Sequence, residues 1–399
     1  KETLLPKFVT VSNIVSKDPM QVIEGNERVI RPRLADARFF FESDKQTPLA
    51  SRMGLLRKIV FQEKLGTVYD KSVRVAKLAV AIAADLGADT DQCERAAMLS
   101  KCDLLTSMVG EFADLQGLMG SYYAQHDGEA EEVCSALNEQ YLPRYAGDSL
   151  PESTTGAVLA MADKLDAMVG LFGIGQPPTG SKDPFALRRS AIGILRILVE
   201  KELDLDIVKA IEASLASYSD IELQANTTNQ VFEFLLERFR AWYLETGISS
   251  EVFQSVFAMR PTRPLDFHHR IQAVHNFDKL PEAVTLAAAN KRVSNLLSKQ
   301  KEVTEGSECS SNLLTEAAEQ SLHKEIQNKM LEVAPLFEQG DYTKGLQSLS
   351  TLKNSVDDFF DNVLVMHQDD QVRQNRLALL KQLRNLFLQT ADISYLHSS

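Results

Sequence analysis

Three stretches of the chain place reactive or charged side chains at spacings that suit a defined chemistry. Gly175-Gln-Pro-Pro-Thr-Gly180-Ser181-Lys182 approaches a phosphate-binding loop, in which backbone N–H groups cradle phosphates and a Lys directly follows the second Gly. Here Ser and Lys stand in the reverse order, Pro177 and Pro178 lack N–H groups, and the residues before the loop have helical spacing. The segment reads instead as a rigid turn starting a helix that carries Arg188 and Arg189, with Asp183 as N-cap and Pro184 at the first position. Phe267-His-His-Arg270-Ile-Gln-Ala-Val-His275 puts His268 and His275 on one helical face, but no carboxylate follows His268 at i+3 or i+4 to complete a zinc site. Neither H-E-x-x-H nor G-x-S-x-G occurs, so hydrolase chemistry has little support. The third pattern interleaves bases with apolar helical positions, in Arg270 to Phe277, in Asn290-Lys291-Arg292-Val-Ser-Asn295, and in Arg373-Gln-Asn375-Arg376 through Lys381 and Arg384. Arg and Asn so placed suit phosphates and the edges of unstacked loop bases, and equally a solvated helix face.

A fourth pattern extends over about 90 residues. Lys71-Ser-Val-Arg-Val-Ala-Lys-Leu-Ala79, Ala96-Ala-Met-Leu-Ser-Lys-Cys102-Asp103 and Leu159-Ala-Met-Ala-Asp163-Lys-Leu-Asp166 form a frame that resembles the helical HD superfamily of metal-dependent phosphohydrolases. In that superfamily a His, a His-Asp pair and a later Asp bind the metal. Lys71 stands at the first His position and Cys102 at the second, while Asp103 and Asp163 match. Two carboxylates beside an ammonium make a poor transition-metal site, because the imidazole ligands are missing and the Lys opposes the cation. The expected state is an inactive helical module, with Asp103 paired to Lys71 and Cys102 a small buried residue. An active HD-type phosphohydrolase using Asp103 and Asp163 is the alternative.

The elements that must hold these residues are mainly helices. Val75, Leu78, Ile82 and Leu86, then Leu159, Ala162, Leu165 and Val169, then Ile192, Leu195 and Leu198 recur at helical spacing. Leu379, Leu383 and Phe387 give a final helix after a turn at His367-Gln-Asp-Asp-Gln. The clear strand signal is Lys7 to Val11, followed by an Arg-rich stretch from Arg28 to Arg38. Residues 299 to 321, rich in Ser and Glu, read as a loop or hinge. The Lys1 start, close before that strand signal, suggests a piece of a longer polypeptide.

The 399 residues carry a net charge of −12, which taken whole argues against a polyanion partner. Resolved along the chain, the charge is uneven. Residues 85 to 152 hold 14 acids and 3 bases, and residues 301 to 372 hold 14 and 5. Residues 28 to 68, 179 to 201, 261 to 300 and 373 to 399 are each positive by 3 to 5. Such an asymmetric surface can seat a nucleic acid on an acidic protein. Cys93, Cys102, Cys134 and Cys309 occur singly, which fits a reducing, cytoplasmic setting rather than a disulfide scaffold or zinc ribbon. No apolar run approaches the ~20 residues of a membrane helix.

Taken in order, several stretches are similar to one family, the β subunit of bacterial-type heterotetrameric glycyl-tRNA synthetase. They are Gly25-Asn-Glu-Arg-Val-Ile-Arg-Pro-Arg-Leu-Ala-Asp-Ala-Arg-Phe-Phe-Phe41, Val60 to Thr67, Ala162-Asp-Lys-Leu-Asp166, Pro178-Thr-Gly-Ser-Lys-Asp-Pro-Phe-Ala-Leu-Arg-Arg189, Ala287-Ala-Ala-Asn-Lys-Arg-Val293 and Asn375-Arg-Leu-Ala-Leu-Leu380. The resemblance implies a mainly α, multi-domain layout. It comprises the end of an N-terminal region to about 45, a degenerate HD-like domain at 46–200, a helical connecting body at 201–260 and a DALR-type anticodon-binding bundle at 261–399. It also implies that a separate α subunit makes glycyl-adenylate from ATP and glycine, while β binds the tRNA within an α2β2 heterotetramer. No cofactor is then bound by this chain, and ATP with Mg belongs to the α subunit. The expected tRNA contacts are Arg270, Lys291, Arg292, Arg373 and Arg376 on the anticodon arm, and Lys182, Arg188 and Arg189 at the acceptor end.

Overall fold

The computed structural model describes residues 5–299 and 309–396. The chain enters through an extended segment in which Val9, Val11 and Val15 are almost fully exposed. The strand anticipated at Lys7 to Val11 does not form. Its β-branched residues have the propensity, but no neighbouring strand among the described residues supplies a ladder or a buried face. Helix α1 (Pro19–Asp44) follows, capped by the Asp18 carboxylate on the Met20 and Gln21 N–H groups, and it carries the whole Arg-rich stretch. The two strands of the described residues are a short antiparallel pair, β1 (Val60–Gln62) and β2 (Gly66–Thr67).

Helix α2 (Val68–Leu86) starts at a reciprocal capping box between Thr67 and Asp70 and stops at Gly87, whose φ of +68° suits a residue without Cβ. It packs on α3 (Thr90–Leu99), and α4 (Ser107–Glu111), α5 (Leu118–His126) and α6 (Glu131–Glu139) complete the first layer. Helix α7 (Thr154–Gly173) is apolar on nearly every face, and 17 of its 20 residues are buried. That composition makes it the axis of the first half. Helices α2, α3, α6, α8 (Leu187–Glu200), α9 (Ile207–Ala216) and α10 (Thr227–Glu245) all pack against it. Burying a helix on all sides removes the most apolar surface per residue, so this is where the first half gains most of its hydrophobic stabilisation.

The second half continues from α10 through α11 (Ser250–Phe257) to α12 (Pro264–Phe277), which begins with Pro at its first position. Helices α13 (Pro281–Lys299), α14 (Ala317–Glu338), α15 (Tyr342–Ser350), α16 (Lys353–Asn362) and α17 (Asp370–Leu388) form a bundle around Val293, Ile326, Leu349, Phe359 and Leu383. The expected final helix is α17, capped by Asp369 in the anticipated turn. Of the anticipated 299–321 linker, residues 300–308 lie outside the described residues, Ser311–Leu313 form one tight turn, and 317 onward is helix.

Candidate functional site

The residues of the degenerate metal frame are brought together, with different partners from those expected. Lys71, on the buried face of α2, donates to the Asp163 carbonyl at 2.9 Å and lies 3.2 Å from the Asp163 carboxylate and 3.3 Å from that of Asp166. Asp103 is not its partner. That carboxylate is buried, accepts the Gly117 N–H at 2.5 Å, and has a second oxygen with no hydrogen-bond partner. Burial raises the Asp103 pKa, against the pull of the Gly117 N–H and Lys101. Cys102 is buried and its thiol is pushed up to about 12 by burial and then by Asp103, so it is held protonated.

Asp163 is where charge collects. Lys101 stands 3.4 Å from its carboxylate in addition to Lys71, and Lys164 follows it in sequence. Burial alone would raise the Asp163 pKa, but the ammonium groups of Lys101, Lys71 and Lys164 hold it well below the usual range. Burial pushes the Lys164 ammonium down to about 8, with Nζ donating to the Gln140 and Leu142 carbonyls. A carboxylate ringed by ammonium groups repels a divalent cation, so this set does not fit the metal of an HD phosphohydrolase. Among the described residues no group of three or more His, Cys, Asp and Glu could hold a metal ion.

Asp166, one helical turn on from Asp163, is the residue that sequence reasoning quoted without assigning. Its carboxylate is fully buried between Arg74 Nε at 2.9 Å and Lys71, and its carbonyl accepts the Tyr218 hydroxyl at 2.8 Å. Arg74 also donates to the Leu65 carbonyl and stacks 4.2 Å from the Tyr218 ring. The α2 to α7 packing thus closes around a hydrogen-bonded ionic network, which is costly to break on one side because that leaves a buried charge uncompensated.

The stretch from Gly175 to Arg189 follows α7, and Thr179 and Lys182 exchange backbone hydrogen bonds at 3.1 and 2.8 Å in a tight turn. Asp183 does cap α8, but from outside it. The helix starts at Leu187, not at Pro184, because Ala186 adopts a left-handed φ of +53°. The Asp183 carboxylate reaches over this break to the Leu187 and Arg188 N–H groups at 2.8 and 3.0 Å. Lys182 and Arg189 are exposed without ion pairs among the described residues, while Arg188 is tied to the Gly180 carbonyl.

In the C-terminal half the five expected contacts separate sharply. Arg376 is buried, paired with the equally buried Glu319 and donating to the Leu364 carbonyl at 2.7 Å. It is a core ion pair and cannot meet a phosphate. Arg270 ties three elements together, through Asp266 at 2.7 Å, the Gln389 and Thr390 carbonyls, and the Tyr342 hydroxyl. Its donors are spent on the fold. Arg373 is one-quarter exposed, ion-paired with Asp370 and bonded to the His367 carbonyl. Lys291 and Arg292 alone of the five are exposed and free of ion pairs among the described residues. They line a groove of about 400 Å³ on α13 with Asn295 and Lys299, over Ala288 and Leu396. Lys291, Asn295 and Lys299 recur every four residues, so one face of the helix presents three polar groups over an apolar floor. The i+4 steps to Asn295 and Lys299 were the signal that could have found them from sequence.

Comparison with known proteins places this geometry in a family. A family model described as glycyl-tRNA synthetase beta subunit matches residues 1–258, and one described as DALR anticodon binding domain matches residues 286–393, which include Lys291, Arg292, Asn295 and Lys299 of the α13 groove. The chain is 55% identical over 395 residues to the glycine–tRNA ligase beta subunit of Marinobacter nauticus, covering 99% of this chain and 57% of that protein. It is 55% identical over 393 residues to that of Pseudoalteromonas translucida and 54% over 395 residues to that of Hahella chejuensis, again spanning 57% of each. With one family model matched along its first 258 residues and an anticodon-binding model along most of the rest, the chain belongs to the glycyl-tRNA synthetase beta subunit family.

Proposed function

We propose that this chain is the tRNA-binding part of a glycine–tRNA ligase β subunit, recognising tRNA(Gly) so that an α subunit attaches glycine in an ATP-dependent reaction. The observation that carries the reading is the α13 groove. Lys291, Arg292 and Lys299 are exposed cations without an ion pair among the described residues, on one helix inside the region matched by an anticodon-binding domain. In this reading the groove holds phosphates of the anticodon arm while Asn295 contacts a base edge. Lys182, Arg188 and Arg189 at the start of α8 contact the acceptor end, and Arg373 adds a peripheral contact.

The chain's own chemistry is recognition. ATP and its Mg are used by the α subunit, and the 46–200 region is an HD-like scaffold whose metal site has become a lysine–aspartate cluster. The relatives carry the name beta subunit, which supports an α partner, here an α2β2 assembly in the cytoplasm. No described helix is long and apolar enough to cross a membrane.

The test is a titration of the 399-residue chain with tRNA(Gly) and with a tRNA of different anticodon. The Lys291→Glu/Arg292→Glu variant should weaken tRNA(Gly) binding by more than tenfold with the unfolding temperature unchanged, since each phosphate contact adds a salt-sensitive increment. Equal affinity for both tRNAs, or an unaffected variant, would overturn the assignment.

A further inference from the structure

A second cleft lies where α8 and α10 pack together beneath the Pro143–Gly147 loop, with a volume of about 650 Å³. That is within the range of sites that hold a small organic group. Helix α8 contributes Arg188, Arg189 and Ile192, helix α10 contributes Arg238 and Trp242, and the loop contributes Tyr145. Glu245 is the one carboxylate lining it, and it is exposed.

Two features of the lining are unexplained by the fold. The first is aromatic. Trp242 is packed against Phe239 and Tyr243, with centroids at 5.6 and 5.8 Å, yet remains half-buried and lines the cleft. Tyr145 is 60% exposed at the same cleft. Open aromatic surface facing a cleft costs burial that a folding requirement alone would not forgo. The second is cationic. Arg196, also at the cleft, is neutralised by Glu200, and Arg188 is held by the Gly180 carbonyl. Arg189 has no ion pair among the described residues and reaches only the Arg144 carbonyl, at 3.5 Å. Arg238 also lines the cleft, with its guanidinium 3.6 Å from the exposed Glu237 carboxylate and 5.7 Å from the Phe234 ring.

Flat aromatic faces beside an exposed guanidinium without an ion pair, that of Arg189, and a second guanidinium at Arg238 are what a nucleotide needs: a stacking platform for the base and bidentate donors for the phosphate. We infer that this cleft holds an unpaired nucleotide of the bound RNA, its base stacked on Trp242 and its phosphate on Arg189 and Arg238. The inference rests on the reading of the chain as a tRNA binder. It adds a site that reads stacking, separate from the α13 groove, with which it shares no lining residue.

Trp242 is the chain's single tryptophan, so its fluorescence reports on this cleft alone. The full chain is titrated with tRNA(Gly), with a single-stranded hexacytidylate and with free AMP. Saturable quenching is expected with the tRNA and the hexamer, and much weaker quenching with AMP, which lacks flanking phosphates. Arg189→Glu, at an exposed position, should weaken hexamer binding about tenfold, and Trp242→Ala, read by anisotropy of a labelled hexamer, by a similar factor. Lys291→Glu should leave hexamer quenching unchanged. Binding of tRNA without a change in Trp242 fluorescence, or with Arg189→Glu and Trp242→Ala both neutral for the hexamer, overturns the cleft while sparing the tRNA reading. AMP binding as tight as the hexamer also overturns it. Absence of binding to any RNA overturns both.

Discussion

Three ammonium groups converge on Asp163, and this changes what the neighbouring carboxylates can do. Lys71 and Lys101 ion-pair with Asp163 at 3.2 and 3.4 Å, and Lys71 with Arg74 hydrogen-bonds Asp166, whereas Asp103 is buried with one oxygen unpartnered and no ion pair among the described residues. The frame of Lys71, Cys102, Asp103 and Asp163 was legible from residue type and spacing. The pairing was not, because Asp163 and Asp166 share a face of α7 and only the packing of α2 against that face sets Lys71 between both of them rather than against Asp103. The same limit applies to Arg376, whose cationic type is plain in the sequence but whose partner Glu319 lies 57 positions away. Asp103 yields a test with a definite sign. Burial raises its folded pKa above the unfolded value of about 3.9, so the native state binds its proton more tightly. Its contribution to stability therefore falls as pH rises from the unfolded value through that raised pKa, above which the full penalty is present. Asp103→Asn removes the charge and keeps an oxygen for the Gly117 N–H. The variant should unfold at a higher temperature than the parent at pH 7, with the difference closing as pH falls to about 4. A variant less stable at pH 7, or an offset constant with pH, would show that the ionised carboxylate is stabilising in place.

The start of α8 shows how an element can be legible in composition and misplaced in position. Asp183-Pro184 carries a sound N-cap signature, and Asp183 does satisfy backbone N–H groups, but those of Leu187 and Arg188. The cause is Ala186, whose φ of +53° breaks the helix before it begins and which nothing about alanine announces. The strand signal at Lys7 to Val11 failed for a related reason, since a strand is specified by its partner and none is adjacent. Periodicity over α2, α7 and α8 needed no such context, because each apolar stripe meets α7 or belongs to it. Asp183 therefore holds both the helix start and the Arg188 guanidinium, 3.9 Å away. Asp183→Ala should cost about 1 kcal/mol, the usual loss for a removed cap. Amide exchange at Leu187 and Arg188 should accelerate, with Asp183→Asn restoring most of the protection. Unchanged exchange at both amides would mean that the turn from Thr179 to Lys182 holds α8 without the carboxylate.

Across the whole molecule, net charge describes binding less well than the fate of each cation. The acidic stretch 85–152 folds into α3 to α6, and the described part of the acidic stretch 301–372 folds mainly into α14 to α16, while bases without an ion pair among the described residues remain on α13 and at the start of α8. Segment charges in the sequence located those two basic regions. They could not distinguish Lys291, which is free, from Arg270, which is spent on Asp266 and the Gln389 and Thr390 carbonyls. If one tRNA spans both regions, each free base that meets a phosphate releases counterion, and the logarithm of affinity falls with the logarithm of salt by roughly 0.7 to 0.9 per contact. Lys291→Ala and Arg189→Ala should each reduce that slope by about 1. The two grooves share no lining residue, so the double variant should reduce it by about 2, with the losses in binding free energy additive to within about 0.5 kcal/mol. The measurement is tRNA(Gly) affinity at four or more salt concentrations for the parent, both single variants and the double variant. A loss of affinity at constant slope would place the effect in folding rather than in phosphate contact. A double variant no weaker than either single one would mean that the two grooves do not hold the same tRNA.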